Sequence, residues 1–324
     1  MVKISVILPT YRRNNQQELD NLHNYNNFIN TATFGEEFKN LYIKYVNGSK
    51  HILKPTLKCL EKQTFRDFEV LLCHKYPEDT LTKELIFDMN LKVLEEKPSI
   101  WHSLGNYATV NNNRNTGIIN AQGELLFFLD DMTIFNENLL SEVWDNYQNG
   151  FYTTCQVIKR IKVVDDKIQG NYKLKGLEKN GLLNNSSTWT YGMSISLKET
   201  LKINGFDEIY DGSFGGTDID FGRRLSLASR YQRKIGPIVY EFTHYSEQKK
   251  RSKVREDEVL RVICNQAPIP KIIKANSWKP TETQMKMYEN FHIENVGELD
   301  KNWNKCMEVP LYDINKIRNE NIYS

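Results

Sequence analysis

Several short stretches of the chain hold side chains whose types and spacing suit chemistry. The plainest is Asp130-Asp131, directly behind the uninterrupted apolar run Leu125-Leu126-Phe127-Phe128-Leu129. Such a run marks a strand covered on both faces, and in an open parallel sheet ligands bind beyond the carboxyl ends of strands. Two adjacent carboxylates there repel each other. A hard cation such as Mg2+ or Mn2+ relieves that repulsion while also binding phosphate oxygens. A strand-end turn or helix cap would use the same residues, since Asp favours both. A second stretch is Phe214-Gly215-Gly216-Thr217-Asp218-Ile219-Asp220-Phe221. Its glycines permit a close backbone approach, and its acids fall at a helix N-terminus, where the dipole favours the charged form by about 0.3–1 kcal/mol. An ionised carboxylate beside a cleft is what a general base for a hydroxyl nucleophile requires. Simple capping by Thr217 or Asp218 is the structural alternative.

Asn113-Arg114-Asn115-Thr116-Gly117 puts an arginine near a helix start, suited to a phosphate or a nucleobase edge. An ordinary surface arginine would read the same way. His244 follows the strand-like Ile238 to Phe242, and a neutral imidazole is a common metal ligand, although a lone histidine more often serves structure. Residues 248–255 then hold five positive charges. They fit a solvated loop, or a lid that neutralises a leaving diphosphate.

Apolar runs of strand and helix type alternate along the chain, the pattern of βαβ units around a mainly parallel sheet. Strands are expected at 3–8, 68–73, 91–94, 125–129, 151–164 and 235–242. Helices are expected at 54–63, 79–90, 115–121 (stopped by Gly123), 136–148, 197–203 and 217–229. Residues 14–30 carry seven asparagines without a clean period, so 12–50 reads as an insertion, with a helix plausible from Glu36 to Val46. A basic loop and a helical extension fill 246–324.

Composition narrows the class further. With 43 Lys and Arg against 41 Asp and Glu the formal charge is +2, which argues against bulk affinity for nucleic acid. At 11% aromatic the chain is too rich in core-forming residues for disorder, despite a mean hydropathy of −0.58. Five scattered cysteines form no CxxC pair, the usage of a reducing compartment without structural zinc. No apolar run approaches the roughly 18 residues of a membrane span, so a cytoplasmic protein is expected.

Taken in order, these segments resemble the family-2 nucleotide-sugar glycosyltransferases of the GT-A fold. Ser5-Val6-Ile7-Leu8-Pro9-Thr10-Tyr11 is similar to that family's opening strand and turn, and Leu57 to Val70 to its first helix and second strand. Asn113 to Gly117, with Ala121-Gln122-Gly123-Glu124 and Phe128-Leu129-Asp130-Asp131, resembles its nucleotide-binding helix and metal-binding acidic motif. Tyr191-Gly192-Met193-Ser194 and Gly205-Phe206-Asp207-Glu208 resemble the acceptor-side turn, and Gly216 to Phe221 with Arg223-Arg224-Leu225 the catalytic-base segment.

The resemblance implies a GT-A domain over 1–245, divided at 131 into a donor part and an acceptor part. Pro9, Thr10 and Tyr11 would border the nucleotide base and ribose, and Arg114 would reach the nucleotide. Asp130 and Asp131 would hold the diphosphate of a UDP-sugar or similar donor through Mn2+ or Mg2+, with His244 as a further metal ligand. Asp218 would be the general base for the hydroxyl of a carbohydrate or glycoconjugate acceptor, assisted by Asp220, with inversion at the anomeric carbon. The 12–50 insertion and the tail would serve the acceptor, a homodimer contact or a membrane surface. The chain departs from the family pattern in three places. Cys73-His74-Lys75 stands where a carboxylate is usual, with Glu78 or Asp79 as stand-ins; Met132 replaces a third Asp; and Thr217 replaces an acid. A nucleotidyltransferase would show a glycine- and basic-rich loop after the first strand, where Thr10-Tyr11-Arg12-Arg13 leads into asparagines instead. A binding protein that has lost turnover is the other alternative.

Overall fold

The computed structural model describes residues 2–11, 36–75, 86–97, 109–158, 162–164, 167–169, 182–183, 192–202, 205–206, 211, 217–218, 221–222, 225 and 231–241. Five helices lie among them: α1 (Glu36–Tyr45), α2 (Lys54–Glu61), α3 (Val110–Asn120), α4 (Leu139–Gln148) and α5 (Leu197–Lys202). The strands are β1 (Ile4–Thr10), β2 (Phe68–His74), β3 (Leu91–Glu95), β4 (Leu125–Phe128), β5 (Thr133–Ile134), β6 (Phe151–Ile158), β7 (Lys162–Val164), β8 (Lys167–Gln169), β9 (Leu182–Leu183), β10 (Met193–Ser196) and β11 (Gln232–Glu241). Nine of them form one sheet in the order β3-β2-β1-β4-β10-β6-β11-β5, with β9 alongside β11; β7 and β8 pair separately.

β1 lies at the centre of the parallel half, between β2 and β4. Every residue of β1, β2 and β4 is buried, and all are apolar except Ser5 and Thr10 of β1 and Glu69 and His74 of β2. Successive side chains point to opposite faces. Ile4, Val6 and Leu8 therefore join Val70, Leu72, Leu125 and Phe127 in one core, under α1, α2 and α4. Ile7 joins Leu71, Leu126 and Phe128 in the other, with Ile118 of α3 and Phe206, Phe221 and Leu225. Gly117 of α3 has no room for a side chain, because a Cβ there would stand 2.7 Å from Ile7 Cγ2.

The expected mixed α/β architecture is present, with several differences in detail. β10 enters antiparallel between β4 and β6, so the sheet is parallel only in part. The run at 151–164 is not one strand: β6 ends at Ile158, and Lys162–Val164 pairs with β8. Residues 86–90, within the helix expected at 79–90, are not helical. α3 begins at Val110, so the 115–121 segment continues a helix already begun, as expected, but that helix ends at Asn120 and Gly123 does not stop it. A Cβ at Gly123 would lie 2.6 Å from Ser5 N, so glycine is needed there for the approach of two backbones. α1 forms where a helix was plausible but belongs to the main core, with Phe38 and Tyr42 each 2% exposed and the Phe38 ring 5.2 Å from Tyr240. The expected tail helices lie outside the described residues.

Candidate active site

The strand order 3-2-1-4 reverses direction between β1 and β4, and open α/β sheets bind ligands outside the carboxyl ends at such a point. Thr10 closes β1 there, and its hydroxyl donates to Asp131 Oδ2 at 2.7 Å. The turn that carries the two acids is held through its backbone. The Thr133 hydroxyl donates to the Asp130 carbonyl at 2.7 Å. Thr56 of α2 accepts the Thr133 N–H at 3.1 Å, and its hydroxyl faces the carbonyls of Asp131 and Thr133 at 2.7 and 2.8 Å. With the backbone fixed, Asp130 and Asp131 stand half-buried beyond the carboxyl end of β4. Met132 turns into the core at 1% exposure, so the motif presents two carboxylates rather than three.

Pro9 is buried within β1, opposite Cys73 of β2. Tyr11 follows Thr10, and its hydroxyl lies 3.4 Å from Thr109 Oγ1. Burial first, then the charges of Glu96 and Asp211, push its phenol well above the usual tyrosine value. It is therefore a neutral hydrogen-bonding group at physiological pH. The Thr109 hydroxyl in turn meets the Glu96 carboxylate, 2.8 Å from each oxygen. Glu96 follows β3 and donates its N–H to the His74 carbonyl at 3.1 Å. It brings a carboxylate beside the crevice from one strand further out than the family pattern, since Cys73 and His74 are buried in β2. Glu78 and Asp79 lie outside the described residues.

The start of α3 is capped from far away in sequence. Its first turn has no local side-chain cap. Instead the buried Asp211 accepts the backbone N–H groups of Asn111 at 2.7 Å and Asn112 at 3.0 Å, from 100 and 99 positions downstream. A carboxylate at a helix N-terminus satisfies orphan amides and complements the dipole. These two amides are thereby already paired with a carboxylate. Arg114, expected to reach the nucleotide, lies further along α3 with its guanidinium 5.0 Å from the centre of the Phe206 ring and Nη1 3.7 Å from Asp218 Oδ1. Asn111 Nδ2 also donates to Thr217 Oγ1 at 3.3 Å.

A series of contacts, continued through neighbouring residues of the chain, therefore links Asp131 to Asp218. Asp131 meets Thr10, Tyr11 meets Thr109, and α3 meets Thr217 and Asp218. Asp220 and His244 lie outside the described residues. No local sequence signal marked Thr56, Glu96 or Thr109. Asp211-Gly212 could be seen as a turn, but nothing in its neighbourhood points to a helix a hundred residues upstream. Among the described thiols, burial pushes Cys59 up to about 12 and Cys73 and Cys155 higher still, so none supplies a thiolate nucleophile near neutral pH.

The described residues contain no cluster of three His, Cys, Asp or Glu side chains that would enclose a metal alone. Mg2+ commonly takes one or two carboxylates and completes its shell with water and substrate phosphate. Asp130 and Asp131 fit that arrangement.

The candidate site thus offers paired acids at the switch point of a mixed sheet, with Asp218 beside Arg114 of α3. The model of glycosyl transferase family 2 matches residues 42–214. The chain belongs to that family and is a glycosyltransferase with a GT-A type sheet. Among solved structures it is similar to S. aureus TarS 1–349 in complex with UDP-GlcNAc, at 16% identity over 99% of this chain and 89% of that one, with a TM-score of 0.46. The same protein in complex with UDP gives 15% identity over 85% and 70%, with a TM-score of 0.43. No curated protein sequence matches the chain. No helix among the described residues is long and apolar enough to cross a membrane.

Proposed function

We propose that the protein transfers a sugar, with inversion, from a nucleoside-diphosphate donor of the UDP-sugar type to a hydroxyl of a carbohydrate or glycoconjugate. One set of contacts supports this: Thr10, Tyr11 and α3 link the neighbourhoods of Asp131 and Asp218, two acids remote in sequence that this reading sets on opposite sides of one crevice. Pro9, Thr10 and Tyr11 border the base and ribose at the end of β1. Asp218, 42% exposed, accepts the proton of the acceptor hydroxyl as that oxygen bonds to the anomeric carbon. The bond from that carbon to the diphosphate oxygen breaks on the opposite face, and its electron pair leaves with the nucleoside diphosphate. Mn2+ or Mg2+ on Asp130 and Asp131 supplies positive charge to the leaving diphosphate when bound. Asp211 supports that assignment, because it removes the alternative phosphate site at the start of α3. Three buried free thiols favour a reducing, cytoplasmic setting.

The test is a thermal-shift panel of UDP-, GDP-, CDP- and dTDP-sugars, each with and without Mn2+. A donor that binds only the folded state raises the melting temperature. A rise that requires Mn2+ is expected for at least one donor. Asp218→Asn should keep that rise and lose about 10²-fold or more in turnover. Full activity in Asp218→Asn, or no donor bound across the panel, would overturn the proposal.

A further inference from the structure

Asn111, in the first turn of α3, holds both ends of the segment that leads into Asp218. Its backbone N–H donates to Asp211 Oδ1 at 2.7 Å, and the N–H of Asn112 donates to Asp211 Oδ2 at 3.0 Å. Its side-chain Nδ2 donates to Thr217 Oγ1 at 3.3 Å. The chain is therefore pinned to α3 at Asp211 and again six positions later, directly before Asp218. The two pins differ in kind. Asp211 pairs two orphan amides, a need that any buried helix start has. The contact with Thr217 meets no such need. Asn111 is itself buried, and its Oδ1 has no hydrogen-bond partner. A buried carbonyl oxygen left unpaired costs stability, so a side chain kept for packing alone would be apolar here. Leucine has much the same length and branching without the polar atoms. What asparagine adds is one donor, and that donor goes to Thr217. Thr217 and Asp218 lie in one helical turn. Holding Thr217 against α3 restrains the rotation of that turn, and with it the direction in which the Asp218 side chain projects.

We propose that Asn111 is a positioning residue for Asp218, holding the turn that carries this acid against α3 through Thr217. This rests on Asp218 being the base, as proposed above. A general base must stand within hydrogen-bond reach of the proton it accepts, and a small misplacement is costly in rate. Loss of the contact therefore appears in kcat and not in the affinity for nucleotide.

The experiment measures folding, binding and turnover separately in Asn111→Leu, Thr217→Val, their double variant and Thr217→Ser, with Asp218→Asn as the control for the base. The probe for binding is UDP with Mn2+, or the other nucleoside diphosphate whose sugar gives the shift in the panel. Turnover is followed as transfer or donor hydrolysis. Asn111→Leu should melt no more than about 2 °C below the native protein. It should keep Kd within about threefold and lower kcat about fivefold or more. Thr217→Val should lower kcat likewise, and the double variant should lose no more than the larger single loss, because both changes remove one contact. Thr217→Ser retains the hydroxyl and should retain most of the activity. Thr217→Val and Thr217→Ser approach the contact from its other end, so the test survives a failure of Asn111→Leu to fold. An unchanged kcat in the single variants, a rise in Kd of about tenfold, or losses that multiply in the double variant would overturn the inference. If Asp218→Asn is inactive in that case, the proposed function stands and only the role of Asn111 fails. An active Asp218→Asn, or a native protein that neither binds nor turns over any donor, removes both.

Discussion

At the scale of single residues, the acid-bearing turn depends on a threonine that the crevice never meets directly. Thr56 has no exposed surface, and its hydroxyl serves one N–H and two carbonyls of the 131–133 backbone. Thr56→Val keeps the shape and leaves those buried groups unpaired, so a loss of about 1–3 kcal/mol is expected. Urea unfolding measures it, and Mn2+-dependent nucleotide binding should weaken in the same variant. His51 is a second buried polar residue whose effect is set by its surroundings. Its Nδ1 accepts the Leu53 N–H at 3.3 Å, while its Nε2 is buried without a partner. Burial, and then the charge of Lys54, push its pKa from 6.5 down to about 4. The unfolded chain takes up a proton below 6.5 and the folded chain does not until about 4. The associated stability is therefore complete above 6.5 and lost as pH falls toward 4, by up to roughly 3 kcal/mol. His51→Asn retains an acceptor for Leu53. It should lose less melting temperature than the native protein between about pH 7.5 and pH 5, and equal losses would refute the assignment.

Among the elements, α3 shows how little of a polar helix is visible before its partners are known. Asn111 through Asn115 are all buried, yet they form no apolar stripe, and asparagine is a modest helix former. Only the segment around Ile118 and Ile119 has the apolar spacing of a packed helix, so the turn before Asn115 had no apolar pattern to mark it. The missing turn is stabilised by Asp211 and by the amide of Asn115, neither of which is a local signal. β1, β2 and β4 were legible because strands buried on both faces need continuous apolar residues. β10, the four residues Met193–Ser196, was not, since alternating Ser offers no comparable run. Gly123 tests the junction of α3 with the sheet. A methyl group there meets Ser5 N at 2.6 Å and the Ile4 carbonyl carbon at 2.7 Å, both main-chain atoms that cannot step aside. Gly123→Ala should cost about 1–3 kcal/mol or more, seen as a fall in the urea midpoint.

Across the molecule, Glu69 ties the parallel half of the sheet together. Its buried carboxylate receives the Ser5 hydroxyl at 2.7 Å, the Gln122 N–H at 2.7 Å and Lys92 Nζ at 2.8 Å. It thus joins β1, β2 and β3 to the turn that enters β4. Glu69→Ala removes one partner from several buried groups, so about 3–5 kcal/mol of stability should be lost in chemical denaturation. The parallel part of the sheet was readable as strands ending in polar residues. Its join to the segments beyond residue 200 was not, because the contacts between Asn115 and Phe206, Arg114 and Asp218, and Asp211 and α3 each span roughly ninety to a hundred positions.

The long reach of Asp211 also bears on the order in which a nascent chain acquires its parts. Synthesis at about 5–20 residues per second separates Asn111 from Asp211 by roughly 5–20 s, an interval in which β4 is itself synthesised while the first turn of α3 has no cap. Chains stalled before position 211 should exchange the amide hydrogens of Asn111 and Asn112 quickly, and chains stalled well after it should protect them. Completion of α3 is in this sense timed by translation of a residue a hundred positions downstream.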